Sequence, residues 1–172
     1  MNLKDKLVSS YLAFDDHLED ESPIHEIRKK AILIFEEKGF PTKREEDWKY
    51  TSLKSILNKD YCVFPKGNKE VKFKKVRNYF LYDIDSYKLV FIDGVYSSFL
   101  SETTHEGLDV CLLSSALSKS KYKAVIENYY NKAASKNSIS ALNTAFAREG
   151  AYINIPKNKE VEKPIEIINF ST

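Results

Sequence analysis

The segment Gly39–Leu53 constrains the fold most, because it combines a chain reversal with the only tryptophan of the sequence. Gly39 follows a helical pattern and can adopt the left-handed conformation that ends a helix. Pro41 fixes its own φ angle and keeps the preceding residue extended, so the chain turns here. Thr42 and Glu45 have the spacing of a capping box at a helix start. The segment therefore predicts a corner between two helices.

The candidate functional site of this corner comprises Trp48, Lys49 and Tyr50, as residues with a role other than filling the core. Tryptophan and tyrosine combine large apolar faces with one polar group each, and they are common anchors of protein interfaces. One hypothesis is that the corner docks a partner. The other, which we favour, is that Trp48 is buried beneath the two helices that precede it.

The corner resembles the N-terminal signature of the SufD family through the run G-F-P-T-K-R-E-E-D-W-K-Y-T-S-L. A second segment, Ser140–Phe146 with Gly150 and the apolar residues after Pro164, is similar to the family in the same order. SufD proteins are subunits of the SufBCD complex, which assembles iron–sulfur clusters. The resemblance covers most of this chain but only the N-terminal portion of the family's proteins.

The resemblance implies a non-catalytic scaffold subunit, not an enzyme, whose partners are SufB and SufC. In the family SufC hydrolyses ATP, and the iron–sulfur cluster belongs to the whole complex, so we expect no cofactor in this chain. The family's residues for SufC docking and for the cluster lie further along, and we therefore carry over none of them. A SufB-like sister subunit is one alternative, and a basic RNA-binding or protein-binding module of unrelated function is another.

Composition argues against nucleic-acid and membrane binding. The 27 basic and 25 acidic residues nearly cancel, and this gives no electrostatic footprint for nucleic acid or anionic lipid. No stretch approaches the ~20 apolar residues that span a bilayer. The N-terminal residues Met1–Lys6 include an acidic side chain and lead into an amphipathic pattern, which is not typical of a signal peptide. These features predict a cytoplasmic protein.

The first part of the chain has helical periodicity. A first helix is predicted from the apolar residues Leu3, Leu7, Tyr11, Phe14 and Leu18. A second begins at Pro23, with Ser22 as its N-cap, ends at Gly39, and has its apolar stripe at Ile24, Ile27, Ala31, Ile34 and Phe35. A short helical turn is predicted at Leu53–Leu57.

Residues 59–85 give no clear secondary-structure signal. The stretch Lys66–Arg77 is rich in lysine, with aromatic and β-branched residues between the charges. Such a pattern is found in surfaces that bind RNA or acidic partners. It is also typical of a solvated connection whose lysine stems cover apolar surface, and we favour this interpretation.

The second part of the chain mixes strands with helices. Asp93–Gly94, between the β-branched and aromatic residues of Leu89–Phe99, predicts a hairpin with a tight primed turn. A third strand is predicted at Leu108–Leu112. Helical patterns follow over residues 116–133 and again from Asn137 to Gly150.

From Ala151 the periodicity becomes that of strands, at 151–155 and again after Pro164. Lone strands cannot bury their faces, so we expect the chain to lack its continuation after Thr172. The family resemblance implies that a right-handed parallel β-helix follows. The predicted fold class is therefore α+β: a helical bundle with a small hairpin and sheet region over 1–150, leading into the first β-helix strands over 151–172.

No pattern of reactive groups is visible. Cys62 and Cys111 are far apart in sequence, which favours reduced, partly buried thiols over a zinc site or a disulfide. His17 and His25 lie on helical stretches beside acidic residues, where we expect solvent-facing side chains, and His105 lies in a polar loop. The contiguous acidic residues Glu45–Asp47 point in different directions in a helix, so they favour a helix N-terminus over a catalytic dyad.

Overall fold

A computed structural model of the chain describes residues 2–15, 23–64, 71, 73–102, 108–132, 137–147 and 149–172. Its helices are α1 (Leu3–Asp15), α2 (Pro23–Lys38), α3 (Lys54–Leu57), α4 (Phe73–Arg77), α5 (Leu113–Leu117), α6 (Ser120–Tyr129) and α7 (Ser138–Phe146). Its strands are β1 (Tyr87–Ile92), β2 (Val95–Tyr96), β3 (Asp109–Leu112), β4 (Ala151–Asn154) and β5 (Ile165–Phe170). This mixture of helices and small sheets confirms the α+β fold class.

The chain forms two compact units. The first unit comprises Met1–Phe64 and Ala124–Ala147, and the second comprises Pro65–Lys123 and Arg148–Thr172. Each unit therefore combines an earlier and a later part of the chain. The division into an N-terminal domain over 1–150 and the start of a β-helix over 151–172 stays a prediction.

The first unit is built on α1, α2 and α7. Helix α2 begins at Pro23 and ends before Gly39, as predicted; the N–H of Gly39, with φ at 65°, donates to the carbonyl of Phe35 at 2.7 Å. The predicted N-cap Ser22 and the apolar residue Leu18 lie outside the described residues.

The buried stripe of α2 differs from the predicted one. Ile34 is 41% exposed, whereas Ile32, which the predicted stripe omits, is buried. The buried stripe is rotated away from Ile34 and towards Ile32, because α7 packs on the Ile32 side of α2. Ala141 and Ala145 of α7 belong to the same core cluster as Ile32. The buried core cluster between α1, α2 and α7 comprises Val8, Tyr11, Ala31, Ile32, Phe35, Ala141 and Ala145.

Helix α7 begins and ends by local chemistry. The side-chain oxygen of Asn137 accepts a hydrogen bond from the backbone N–H of Ser140 at 2.8 Å, which is an N-cap. The helix ends at Phe146, earlier than the predicted end at Gly150. Gly150 instead precedes β4, and its carbonyl accepts from the N–H of Leu113 at 2.8 Å.

The predicted hairpin forms in the second unit. Strands β1 and β2 pair antiparallel, with Ile92 opposite Val95. Asp93 and Gly94 between them both have positive φ angles, of 49° and 78°. Positive φ at both central residues defines the primed turn whose twist matches the strands.

Pairing over long sequence distances completes the sheets. Strand β5 pairs in parallel with β1, in register from Tyr87 opposite Ile165 to Ile92 opposite Phe170. The predicted strand β3 pairs antiparallel with β4 in a separate sheet. Residues after Ala151 therefore join strands from earlier in the chain, and a right-handed parallel β-helix is not seen in the described residues. One buried core cluster of this unit comprises Val76, Phe80, Val90, Ile92, Leu100 and Ile168.

Gly94→Ala is expected to lower the free energy of unfolding by about 1 kcal/mol. A methyl group at Gly94 would meet nothing within 4 Å, so the loss comes from forcing an L-residue to a φ of 78° and not from a clash. Gly150→Ala is the matched control, because its methyl group would make ordinary contact with Leu113 at 3.8 Å and its φ is not positive. Equal losses for the two variants in urea denaturation would contradict this explanation.

Candidate interaction corner and buried polar cluster

The corner Gly39–Leu53 is attached to the first core at its N-terminal end. The ring of Phe40 packs edge-on against the ring of Phe35, with centroids 5.0 Å apart, and Pro41 is buried. The turn after Gly39 therefore fixes the direction in which the chain leaves α2.

The predicted capping box forms in part. The carboxylate of Glu45 accepts from the backbone N–H of Thr42 at 2.8 Å, as expected. The hydroxyl of Thr42, however, accepts from the N–H of Arg44 at 3.3 Å, one residue earlier than a capping box requires. The chain continues into a short 3₁₀-helix at Glu46–Trp48, not a full α-helix, and the predicted turn at α3 follows it.

The candidate residues of the corner differ in exposure. Trp48 is half-buried, Lys49 is exposed and Tyr50 is 90% exposed. The ammonium group of Lys49 lies 5.5 Å from the centroid of the Tyr50 ring. Trp48 thus lies at the edge of the packed structure, while Lys49 and Tyr50 present a cation and an aromatic ring to solvent. Docking of a partner at this corner stays a prediction.

Trp48→Ala is expected to lower the free energy of unfolding by about 1–2 kcal/mol, because part of a large apolar ring loses its packing. Tyr50→Ala is the control and should change it by less than about 0.5 kcal/mol, since its ring is in solvent. Urea denaturation of both variants measures this. A larger loss for Tyr50→Ala than for Trp48→Ala would show that the corner packs differently.

The described part of the basic stretch surrounds aromatic rings. On α4, Lys74, Lys75 and Arg77 are exposed. The Lys75 ammonium lies 5.5 Å from the centroid of the Phe170 ring, and the Arg77 guanidinium lies 5.7 Å from that of Tyr82. Lys75 and Arg77 thus each lie over a ring of the chain itself, as the side chains of a solvated surface layer do. Lys66, Lys69 and Lys72 lie outside the described residues.

A buried polar cluster in the first unit corrects the prediction for His25. Its side chain is not solvent-facing: the residue is only 6% exposed, and Nδ1 lies 3.5 Å from Oδ1 of Asp15. Lys29 also approaches that carboxylate, with Nζ 3.7 Å from Oδ2. His17 and His105, for which sequence predicts exposed positions, lie outside the described residues.

Arg28 is the second buried member of this cluster, and sequence reasoning missed it. It is 6% exposed, its Nε donates to the carbonyl of Ala145 at 2.9 Å, and its guanidinium lies 5.9 Å from the ring centroid of Tyr11. The sequence spacing does indicate this burial, because Arg28 lies four residues after Ile24 and four before Ile32, in the centre of the apolar face of α2.

Several polar atoms of the cluster make no hydrogen bond of good geometry within the described residues, although His25 and Asp15 lie within ion-pair distance of each other. The Tyr11 hydroxyl, Asp15 Oδ1, His25 Nδ1 and Arg28 Nη2 are buried there without a hydrogen-bond partner. Burial, and then the charge of Asp15, raise the pKa of Tyr11 to about 12. Burial likewise raises the pKa of Tyr130, against the opposing effect of Arg28. Burial therefore favours the neutral phenol at both tyrosines.

Stability should fall at alkaline pH in a way that depends on Tyr11. The unfolded chain loses the phenolic proton near pH 10, whereas the folded chain keeps it to about pH 12. The unfolded state thus binds fewer protons in this window, and the free energy of unfolding decreases as pH rises, by at most about 2.7 kcal/mol. Tyr11→Phe should flatten this decrease between pH 10 and pH 12, measured by urea denaturation at each pH.

Tyr50→Phe is the control for the alkaline experiment, because Tyr50 is 90% exposed. Its curve should follow that of the unmodified chain. A Tyr11→Phe curve as steep as the control's would contradict the assignment to Tyr11.

The two thiols are free but differ in environment. Cys62 is exposed, contrary to the predicted partial burial, whereas Cys111 is half-buried as predicted. Burial raises the pKa of the Cys111 thiol. Among the described residues, no group of three or more histidine, cysteine, aspartate or glutamate side chains is arranged to hold a metal ion. Within the same residues, no helix is both long and apolar enough to cross a membrane.

Comparison with known proteins identifies the family. The chain matches the SufBD protein N-terminal region over residues 1–167. It is 28% identical over 142 residues to an iron–sulfur cluster assembly SufBD family protein of Synechocystis sp., covering 82% of this chain and 31% of the relative. It is 35% identical over 66 residues to the iron–sulfur cluster assembly protein SufD of Escherichia coli, covering 38% of this chain and 15% of the relative.

The chain therefore spans less than a third of the length of these curated relatives. The match nevertheless extends from the first residue to the middle of β5, and so includes the corner, the buried polar cluster, the first core and all of the second core except Ile168. On this ground the chain belongs to the SufBD family, of which it represents the N-terminal region.

Proposed function

We propose that this chain is the N-terminal part of a non-catalytic scaffold subunit of the SufBCD iron–sulfur cluster assembly complex. The observation that supports the proposal is the family match over residues 1–167. Both relatives described above have iron–sulfur cluster assembly in their names. The W-K-Y-T run at Trp48–Thr51, which resembles SufD, favours SufD over its sister subunit SufB.

The partners in this proposal are SufB and SufC, and the location is the cytoplasm. The chain itself contributes neither a catalytic group nor a cofactor, and the cluster is held by the whole complex. Residues 151–172 begin a right-handed parallel β-helix in this proposal. Of the two strands in this range, β5 pairs in parallel with β1, as strands of a parallel β-helix do, whereas β4 pairs antiparallel with β3.

Co-purification tests the proposed function. The 172-residue chain and a version extended to the length of the SufD relatives are each tagged and co-expressed with SufB and SufC of the same organism. We expect the extended version to retain both partners. We expect the 172-residue chain to retain neither, because the family resemblance implies that the docking residues lie beyond this region.

Three outcomes would contradict this proposal. An extended version that retains neither partner would exclude membership of the complex. When SufD is co-expressed as well, retention of SufD in place of SufB would assign the chain to the sister subunit. Retention on heparin that disappears with added salt would favour the basic nucleic-acid module instead.

A further inference from the structure

A groove in the first unit follows the line where α2 packs against α7. Its floor contains the buried residues Ala31 and Ala141, and one wall is formed by Ile27 and Ile34 of α2. The space within it is about 590 Å³. Because the floor side chains are single methyl groups, the two helices leave a concave apolar surface between them.

The apolar wall of this α2–α7 groove is not needed for the core. Ile27 and Ile34 are separated by two helical turns and therefore lie on one face of α2. Ile34 is 41% exposed, whereas Ile32 and Phe35 of the same helix are buried in the core. Helix α2 thus has a second apolar row, outside the packed interior.

The rim of the groove is basic. Lys30 and Lys132 line it, and neither ammonium group has an ion-pair partner among the described residues. Other lysines of the chain do have one; Lys121, for example, lies 3.0 Å from the carboxylate of Asp109. Lys38 adds a third positive charge, against one acidic lining residue among those described, Glu37.

We propose that the α2–α7 groove binds an acidic amphipathic helix of a partner protein. Apolar side chains spaced at i, i+3 or i+4, and i+7 on that helix would pack on Ile27, Ile34 and the alanine floor. Flanking aspartate or glutamate side chains would approach Lys30 and Lys132. This inference goes beyond the proposed function. The groove is formed by side chains of the first unit, and binding to it requires neither SufB nor SufC nor an iron–sulfur cluster.

A pair of synthetic peptides provides the probe. One is a fluorescein-labelled helix of about 18 residues with leucine along one face and glutamate on the flanks. The other replaces every glutamate with lysine. Fluorescence anisotropy at low ionic strength should show that the acidic peptide binds at least about tenfold more tightly than the basic peptide.

Variants of the full chain locate the binding. The double variant Lys30→Glu/Lys132→Glu should weaken binding of the acidic peptide by about tenfold or more. Lys43→Glu is the matched control, since Lys43 is exposed on the corner of the same unit and does not line the groove. Ile34→Ser should weaken binding without removing the preference for the acidic peptide, because it removes an apolar side chain from the groove wall and leaves Lys30 and Lys132 in place.

The proposal is overturned if the acidic peptide binds no more tightly than the basic one, or does not bind. It is also overturned if Lys43→Glu weakens binding as much as the double variant does. Competition by oligouridylate that is lost in the double variant would assign the groove to nucleic acid instead. A chain that sediments as a dimer, and becomes a monomer with Ile34→Ser, would assign it to self-association.

Discussion

Phe35→Ala is expected to lower the free energy of unfolding of the first unit by about 3–5 kcal/mol. Phe35 has no exposed surface and lies in the core with Val8, Tyr11 and Ala145. Its ring also packs against Phe40 at 5.0 Å, so the variant loses the contact that holds the corner to α2. A loss of this size is a large part of the total stability of a small domain. Urea denaturation followed by circular dichroism measures it.

Leu33→Ala is the control for this experiment. Leu33 is on the same helix but is 60% exposed, so its removal should change the free energy of unfolding by less than about 0.5 kcal/mol. Comparable losses for the two variants would mean that α2 packs with a different face. That result would also remove the basis for the α2–α7 groove.

Arg28→Ala is expected to cost about 2–4 kcal/mol. The substitution leaves a cavity where a buried side chain was, and the carbonyl of Ala145 loses the N–H that donates to it at 2.9 Å. It also removes the cation nearest to the Tyr11 ring, at 5.9 Å. Contact between α2 and the end of α7 should weaken as a result. Thermal and urea unfolding measure this loss.

Arg28→Met separates the packing of Arg28 from its polar role. Methionine keeps most of the stem volume and removes the charge and the donors. We expect a loss of about 1–2 kcal/mol, because the carbonyl of Ala145 is still left unpaired. A methionine variant as unstable as the alanine variant would show that the charge, and not the packing, dominates. A methionine variant more stable than the unmodified chain would show that the cluster costs stability, as buried ionic groups can.

Elements whose signals are local could be predicted from sequence. Asp93–Gly94 specifies a primed turn because both residues tolerate positive φ, and β1 and β2 pair around it as predicted. Pro23 and Gly39 bound α2 through the backbone conformations they favour, and α7 begins after Asn137, where the helical pattern starts. The family was also recognisable from residues alone, since the Trp48 corner and the Ser140–Phe146 segment lie within the matched region.

The site was less predictable, because exposure depends on neighbours from elsewhere in the chain. Sequence predicted an exposed His25 beside acidic residues, yet α1 places Asp15 at 3.5 Å from its ring nitrogen. Trp48 is half-buried, an intermediate state that neither hypothesis for the corner described. A single helix pattern does not indicate which residues a second helix will cover.

Sequence by itself determined the α+β class, the two ends of α2, the primed turn at Asp93–Gly94 and membership of the SufBD family. Only the tertiary structure decided that β5 pairs with β1 and β4 with β3, because backbone hydrogen bonds between strands are the same for every partner. It also decided that Arg28 is buried and Ile34 is not. The reason is that α7 packs against α2 and covers one side of its apolar face, leaving the other side open as a groove.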